Sequence, residues 1–129
     1  MGVELGTALD KLRSGGTVKL EKRPKRYMFG CLNYGDLPGY RNDADGDPWD
    51  VFAPGYESTL PFTTYTTTGV MGALILNNGN HKVAVTLDHP GYDHRRATIE
   101  IERYCRTYCR RVGVTGRWMV MKPPSDVQR

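Results

Sequence analysis

Two runs rich in β-branched residues, FTTYTTTGVMGALIL and HKVAVTL, flank the tetrapeptide Asn77-Asn78-Gly79-Asn80, and this arrangement limits the fold more than any other feature of the chain. An Asn-Gly pair supplies the positive-φ backbone of a tight reversal whose twist matches that of the strands on either side, so the pattern predicts a β-hairpin. β-Branched side chains suit a pleated surface and lose rotamer freedom in a helix. Thr17 to Leu20, Tyr27 to Leu32, WDVFAP and RWMVMKPP read as further short strands. The middle of the protein is therefore expected to be a curled antiparallel sheet or a small barrel.

After His94 the period changes. From Arg96 to Val112, residues Ile101, Tyr104, Cys105, Tyr108 and Val112 recur at helical spacing, with Arg103, Arg106 and Arg110 off the apolar stripe, which predicts one amphipathic helix packed on the sheet. Gly113 and Gly116 end it. A chain of 129 residues suits one domain with one modest core. We read residues 1–129 as that domain, with 1–16 as its N-terminal segment and 123–129 as a frayed tail.

Composition excludes some classes. With 39% hydrophobic and 25% charged residues the chain resembles soluble globular proteins, and no apolar run approaches the ~20 residues of a membrane span. No basic, apolar secretory start is visible, so a cytoplasmic location is expected. Cys31, Cys105 and Cys109 make an odd count without metal-ligand spacing to His81, His89 or His94, which favours buried, inert thiols over a zinc site. Charge is polarised: six of fourteen acidic residues fall between Asp36 and Glu57, and seven arginines between Arg95 and Arg117. A solvated helix face explains the second cluster most simply, with attraction to nucleic acid the less favoured reading.

The acidic cluster is denser than folding alone would favour. NYGDLPGYRNDADGDP, rich in Gly, Pro, Asn and Asp, reads as a long loop, and Asp45, Asp47 and Asp50 lie within six residues at its end. Such residues can cap local backbone groups in a solvated turn. Alternatively cations sit among them, because packed carboxylates repel one another unless something neutralises them. Carboxylate oxygens suit magnesium, which prefers one or two protein carboxylates plus substrate phosphate oxygens. An EF-hand does not fit, since counting from Asp43 puts Pro48 where glycine is needed.

DGDPWDVFAP resembles the signature of the soluble inorganic pyrophosphatases, D-G-D-P-x-D-V opening a barrel strand, and NYGDLPG is similar to the N-Y-G-x-I-P segment that precedes it in that family. The likeness is continuous over Glu21 to Tyr56 and continues more weakly through GVMGALILNNGNHKVAV, HPGYDH and GRWMVMKP, about three quarters of the chain. The resemblance implies a mainly β, α+β protein: a small OB-like antiparallel β-barrel with one main C-terminal amphipathic helix. It implies an inorganic diphosphatase that uses Mg2+ to hydrolyse pyrophosphate to two phosphates, and a homo-oligomer with no membrane partner. Carried over residue by residue, Asp45 and Asp50 are metal ligands and Asp47 is the general base. Lys22, or Arg23 or Arg26 in a shifted register, then contacts pyrophosphate or phosphate together with Tyr34, Lys82, Tyr108 and Arg110 or Arg111.

The chain departs from that pattern in the hairpin. Two aspartates that complete the family's metal cluster are matched here by Asn77 and Asn80, whose amide oxygens can coordinate magnesium but attract it less. The front of the chain also lacks a clear match to the family's first strands. A non-catalytic module of the same fold, holding a nucleotide, a phosphate-bearing partner or nucleic acid, is the alternative reading. A third is hydrolysis of another diphosphate-containing substrate.

Overall fold

The computed structural model describes residues 4–22, 33–42, 46–56 and 60–120. Its elements run α1 (Leu5–Arg13), β1 (Thr17–Lys22), β2 (Asn33–Arg41), β3 (Pro48–Ala53), β4 (Thr64–Leu76), β5 (Lys82–Leu87), α2 (His94–Val112) and β6 (Gly116–Val120). The strands form one sheet in the order β1-β2-β3-β5-β4-β6, and an additional β1–β4 pairing closes the first five into a barrel. The expected small barrel of a mainly β, α+β protein is what the chain forms.

The thirteen-residue β4 makes the closure possible. Its first turns pair with β1, Thr17 opposite Thr66 and Lys19 opposite Thr64. Its far half pairs on the same edge with β6, from Gly72 opposite Val120 to Leu76 opposite Gly116. The opposite edge carries β5, with register shifts between Thr67 and Gly69 and between Val70 and Gly72. Shifts of this kind bend and twist a strand, which a closed sheet of five strands requires. The Asn77–Asn80 hairpin forms as read: Gly79 N–H donates to the Leu76 carbonyl at 3.1 Å, and Gly79 sits at φ 81°.

Three expectations need correcting. The segment beginning NYGDLPGYR is strand β2 rather than loop, because Asn33, Gly35 and Asp36 pair regularly with β3 while Pro38 and Gly39 fall in an interruption, where pairing jumps from Leu37–Trp49 to Arg41–Pro48. Pro38, which has no N–H to give a ladder, lies in that jump beside Gly39 at φ 83°. Second, the barrel is mixed, since β3 and β5 run parallel, Val51 opposite Val83. Third, a second helix, α1, precedes the sheet. The strand read over Tyr27 to Leu32 and the tail 123–129 lie outside the described residues.

Inside the barrel, Val18, Leu20, Leu37, Trp49, Val51, Val83, Val85 and Leu87 form the core, and Ala8, Leu9 and Leu12 of α1 join it. Large apolar side chains buried so completely contribute roughly 1.5–3 kcal/mol each. The buried Thr67 hydroxyl fastens α1 to the barrel, 2.7 Å from the Leu12 carbonyl and 3.1 Å from that of Gly16.

Helix α2 covers the outside of the sheet with Ile101, Tyr104, Cys105 and Tyr108 packed on Tyr34, Phe52, Leu74, Leu76 and Ala84. Val112, read as part of that stripe, is 46% exposed, because it lies in the last turn, just before the chain reverses at Gly113. The helix begins at His94, two residues earlier than read, where Asp93 accepts the Arg96 amide at 3.1 Å. Its first turns dock on Gly55: the Asp93 amide donates to the Gly55 carbonyl at 2.9 Å, and the Gly55 amide donates to the buried Glu100 carboxylate at 2.8 Å. Among the described residues no helix is long and apolar enough to cross a membrane.

Gly35 marks a close approach of two strands, because a Cβ there would overlap the Lys19 carbonyl of β1. Gly35→Ala is expected to lower the urea unfolding midpoint by the equivalent of about 3 kcal/mol, at the upper end of overpacking costs. Gly6→Ala in α1, where a Cβ meets nothing within 4 Å, is expected to leave the midpoint unchanged or raise it slightly.

Candidate functional site

Strand register sets a row of charges on the outer face of the sheet. Lys19 lies opposite Asp36 across β1 and β2, Asp36 lies opposite Asp50 across β2 and β3, and Asp50 lies one position before the Val51–Val83 pair that places Lys82 on β5. Residues facing one another across strands share a face. The row lies on the side where, two residues along each strand, Phe52 and Ala84 pack under α2.

Lys82 is the centre of this row. Its ammonium donates to Asp50 Oδ2 at 2.7 Å and to Asn80 Oδ1 at 3.0 Å, and it lies 5.4 Å from the centroid of the Tyr108 ring. The lysine side chain is 7% exposed and that of Asp50 19%, so the ion pair is largely out of water. A charge so placed persists because a carboxylate, an amide oxygen and an aromatic face all stabilise it. Tyr34 belongs to the same outer layer, stacked on Phe52 at 5.3 Å, and Phe52 and Tyr104 connect it to Tyr108.

The aspartate loop is drawn to the hairpin tip by Asn42, whose amide donates to the Gly79 carbonyl at 3.3 Å. Main-chain bonds tie the two ends of the loop, the Asn42 backbone N–H to the Asp47 carbonyl and the Gly46 backbone N–H to the Asn42 carbonyl, both at 2.8 Å. Arg41 braces it through the Gly46 carbonyl at 2.8 Å. Below the loop, Trp49 stacks with His81 at 6.4 Å. Asn42 therefore lies against the Asn turn of residues 77–80, whose Asn80 bonds Lys82.

Of the residues singled out from sequence, the structure brings together Asp50, Asn80, Lys82 and Tyr108, with Tyr34 in the adjoining aromatic layer. Asp47 is exposed in the loop. Asp45 lies outside the described residues, and so does the side chain of Lys22, whose backbone pairs with Tyr34. Asn77 turns elsewhere: its Oδ1 accepts the Thr115 backbone N–H at 3.3 Å, and its backbone N–H donates to the Thr115 carbonyl at 3.0 Å. Arg110 is exposed and does not join Tyr108, because two residues turn a helix by about 200° and send the two side chains to opposite faces. Asp36 and Asn42 were missed, although the period-2 pattern of NYGDL would have placed Asp36 on the face of Tyr34 once β2 was recognised.

The donor set is one of hard oxygens. Asp36 and Asp50 face one another, Asn80 adds an amide oxygen, and magnesium prefers such ligands in small number, completed by waters and phosphate. The Lys82 ammonium already bridges Asp50 and Asn80, so a cation of the protein's own neutralises part of the cluster. Among the described residues no group of three His, Cys, Asp or Glu is arranged to hold a metal ion, and any divalent ion here would depend on substrate oxygens or on the 43–45 segment. No protein-family model matches the chain, and no curated protein matches it.

His81, one residue before Lys82, accepts the Leu76 amide on Nδ1 at 2.9 Å and must be unprotonated there to do so. Desolvation, with Lys82 adding to it, holds its pKa below the ordinary 6.5. The unfolded chain thus takes up this proton first as the pH falls. Stability from His81 is complete above pH 6.5 and is lost as the pH drops below that value towards the lowered folded pKa. The melting temperature is expected to fall between pH 7.5 and 5.5, and His81→Gln to flatten that dependence. Separately, Lys82→Met is expected to cost about 2–3 kcal/mol in urea unfolding, less than a fully buried pair because Asp50 keeps some solvent. Adding Asp50→Asn should recover part of the loss.

Proposed function

We propose that the chain is a magnesium-dependent hydrolase of inorganic pyrophosphate, acting at the sheet face between the aspartate loop and the Asn77–Asn80 hairpin. The observation that carries this reading is the Lys82 ammonium fixed between Asp50 and Asn80 against Tyr108, beside a D-G-D-P-x-D-V signature. An ammonium has three donors. Asp50 and Asn80 take two, and a phosphate oxygen would take the third.

Asp36, Asp50 and Asn80 would hold magnesium, with Asp45 as the ligand that the signature supplies. Bound there, the ion would neutralise phosphoryl oxygens and acidify a water. The chain's own residues do the positioning. Lys82 binds one phosphoryl group and keeps its geometry because the ion pair fixes its long side chain before substrate arrives. The Tyr108 face shields that ammonium from water and so strengthens its pull on an anion. Asp47, exposed in a loop that Arg41 and Asn42 brace, accepts the proton of the attacking water. Anhydride hydrolysis needs little beyond in-line positioning and charge neutralisation, and this set of residues supplies both.

The amide at position 80 and the lysine already seated on Asp50 favour a second reading, a module that binds phosphate compounds without hydrolysing them. Phosphate release from pyrophosphate in millimolar magnesium separates the two. Release by the unmodified protein, reduced about 100-fold or more by Asp47→Asn and abolished by Lys82→Met, is the expected result. Absence of release, with pyrophosphate binding that survives Asp47→Asn, would replace hydrolysis by binding. Faster release from nucleoside triphosphates than from pyrophosphate would reassign the substrate.

A further inference from the structure

Helix α2 carries six arginines and no lysine: Arg95, Arg96, Arg103, Arg106, Arg110 and Arg111, all exposed. At 100° per residue Arg96, Arg103, Arg106 and Arg110 fall in one sector of about 80°, on the side away from the buried Tyr104 and Tyr108, and the stripe extends for about 21 Å. Ile99, 46% exposed, lies in the same sector. Of the two acidic residues of the helix, Glu100 is buried on the Gly55 amide, and Glu102, exposed, flanks the stripe one turn before Arg106. Like charges three and four residues apart destabilise a helix by about 0.2–0.5 kcal/mol per pair. A polyanion lying along the stripe would be attracted by its summed positive charge. The guanidinium fork also suits phosphate oxygens and stacks on planar rings, as an ammonium does not.

Beside the stripe lies a cavity of about 350 Å3 between α2 and β6, walled by Leu74, Val114, Trp118, Cys105 and Cys109, with Arg106 at its edge. That volume is in the range of small-ligand sites. Trp118 is half-buried and paired in register with Leu74. Its ring is seated on the backbone of β4 at Gly72, where a Cβ would stand 2.7 Å from Cζ2. A fixed indole in an apolar recess, one arginine from a row of cations, combines a stacking surface with a path for phosphates. Single-stranded nucleic acids are held by those two features together.

We propose that α2 and β6 bind single-stranded nucleic acid, with Arg96, Arg103 and Arg106 following the phosphates and the Trp118 cavity receiving an unstacked base. A duplex offers no such base, since its bases are stacked within it. An anionic membrane fits less well, because the apolar face that an interfacial helix needs is already spent on the sheet, and of the large apolar side chains of α2 Ile99 and Val112 alone are exposed. The surface is separate from the Lys82 site and does not depend on hydrolysis there.

The test is fluorescence anisotropy of the full chain with a labelled twenty-nucleotide oligo-dT and with a duplex of equal length, from low to physiological salt. The single strand is expected to bind more tightly and to quench the fluorescence of Trp118, since Trp49 is only 2% exposed. Changing Arg96, Arg103 and Arg106 together to Gln should reduce the slope of log affinity against log salt by about 2, at ~0.7 per contact. Trp118→Leu should weaken binding at least about fivefold, and Trp118→Phe should restore most of it. Circular dichroism checks that each variant is folded, and the quench in the unmodified protein needs no variant. The proposal is overturned by duplex binding equal to or tighter than single-strand binding, by absence of the quench, or by affinity indifferent to Trp118. Binding only to phosphatidylserine vesicles would likewise replace it with a membrane surface.

Discussion

The barrel depends on β4 being long enough to serve three neighbours. Over its first residues it hydrogen-bonds β1, over its last it hydrogen-bonds β6, and along its other edge it carries β5. A straight strand could not do this, and the irregular registers around Gly69 and Gly72 show where it bends. With β4 bent, β1 and β4 meet, the sheet loses its two central edges, and Trp49, Val51 and Val83 acquire an interior to fill. Had β4 ended at Gly72, the barrel would retain β1 and β5 but lose the β6 partner that frames the Trp118 cavity.

Closure also determines the chemistry of the outer face. Parallel pairing of β3 with β5 puts Lys82 next to Asp50, and antiparallel pairing of β2 with β3 puts Asp36 on the other side. The aspartates of this region are tolerated partly because one lysine is held among them at hydrogen-bond distance. That lysine is itself tolerated in a 7% exposed position because Asp50, Asn80 and the Tyr108 ring share its charge. Each group makes the others affordable in a low-dielectric setting, where any one alone would be destabilising.

Helix α2 joins two surfaces of opposite character. Its inner side supplies aromatic rings that cover Tyr34, Phe52 and Ala84 and reach Lys82 through Tyr108. Its outer side is a stripe of arginine. Cys105 lies on the inner side, where burial, aided by the nearby Cys109, pushes its thiol up to about 12. It is a packing residue at neutral pH. Cys109 is only half-buried and lines the cavity beside Trp118.

Local chemistry made much of this legible. The Asn-Gly turn announced the hairpin, β-branched runs announced β3, β4 and β5, and the 3.6-residue period announced α2, because each signal is carried by neighbours in the chain. The crowding of Asp45, Asp47 and Asp50 likewise marked the region of the candidate site. Sequence misjudged β2, since Gly35, Pro38 and Gly39 suit turns locally, yet Gly35 lets β1 approach and the other two fall where the ladder is interrupted. It also could not distinguish Asn80 from Asn77, or Tyr108 from Arg110, as partners of Lys82. Those choices follow from strand register and from the side of α2 that faces the sheet, and both are settled only when distant segments pack and residues far apart in the chain compete for the same few ångströms.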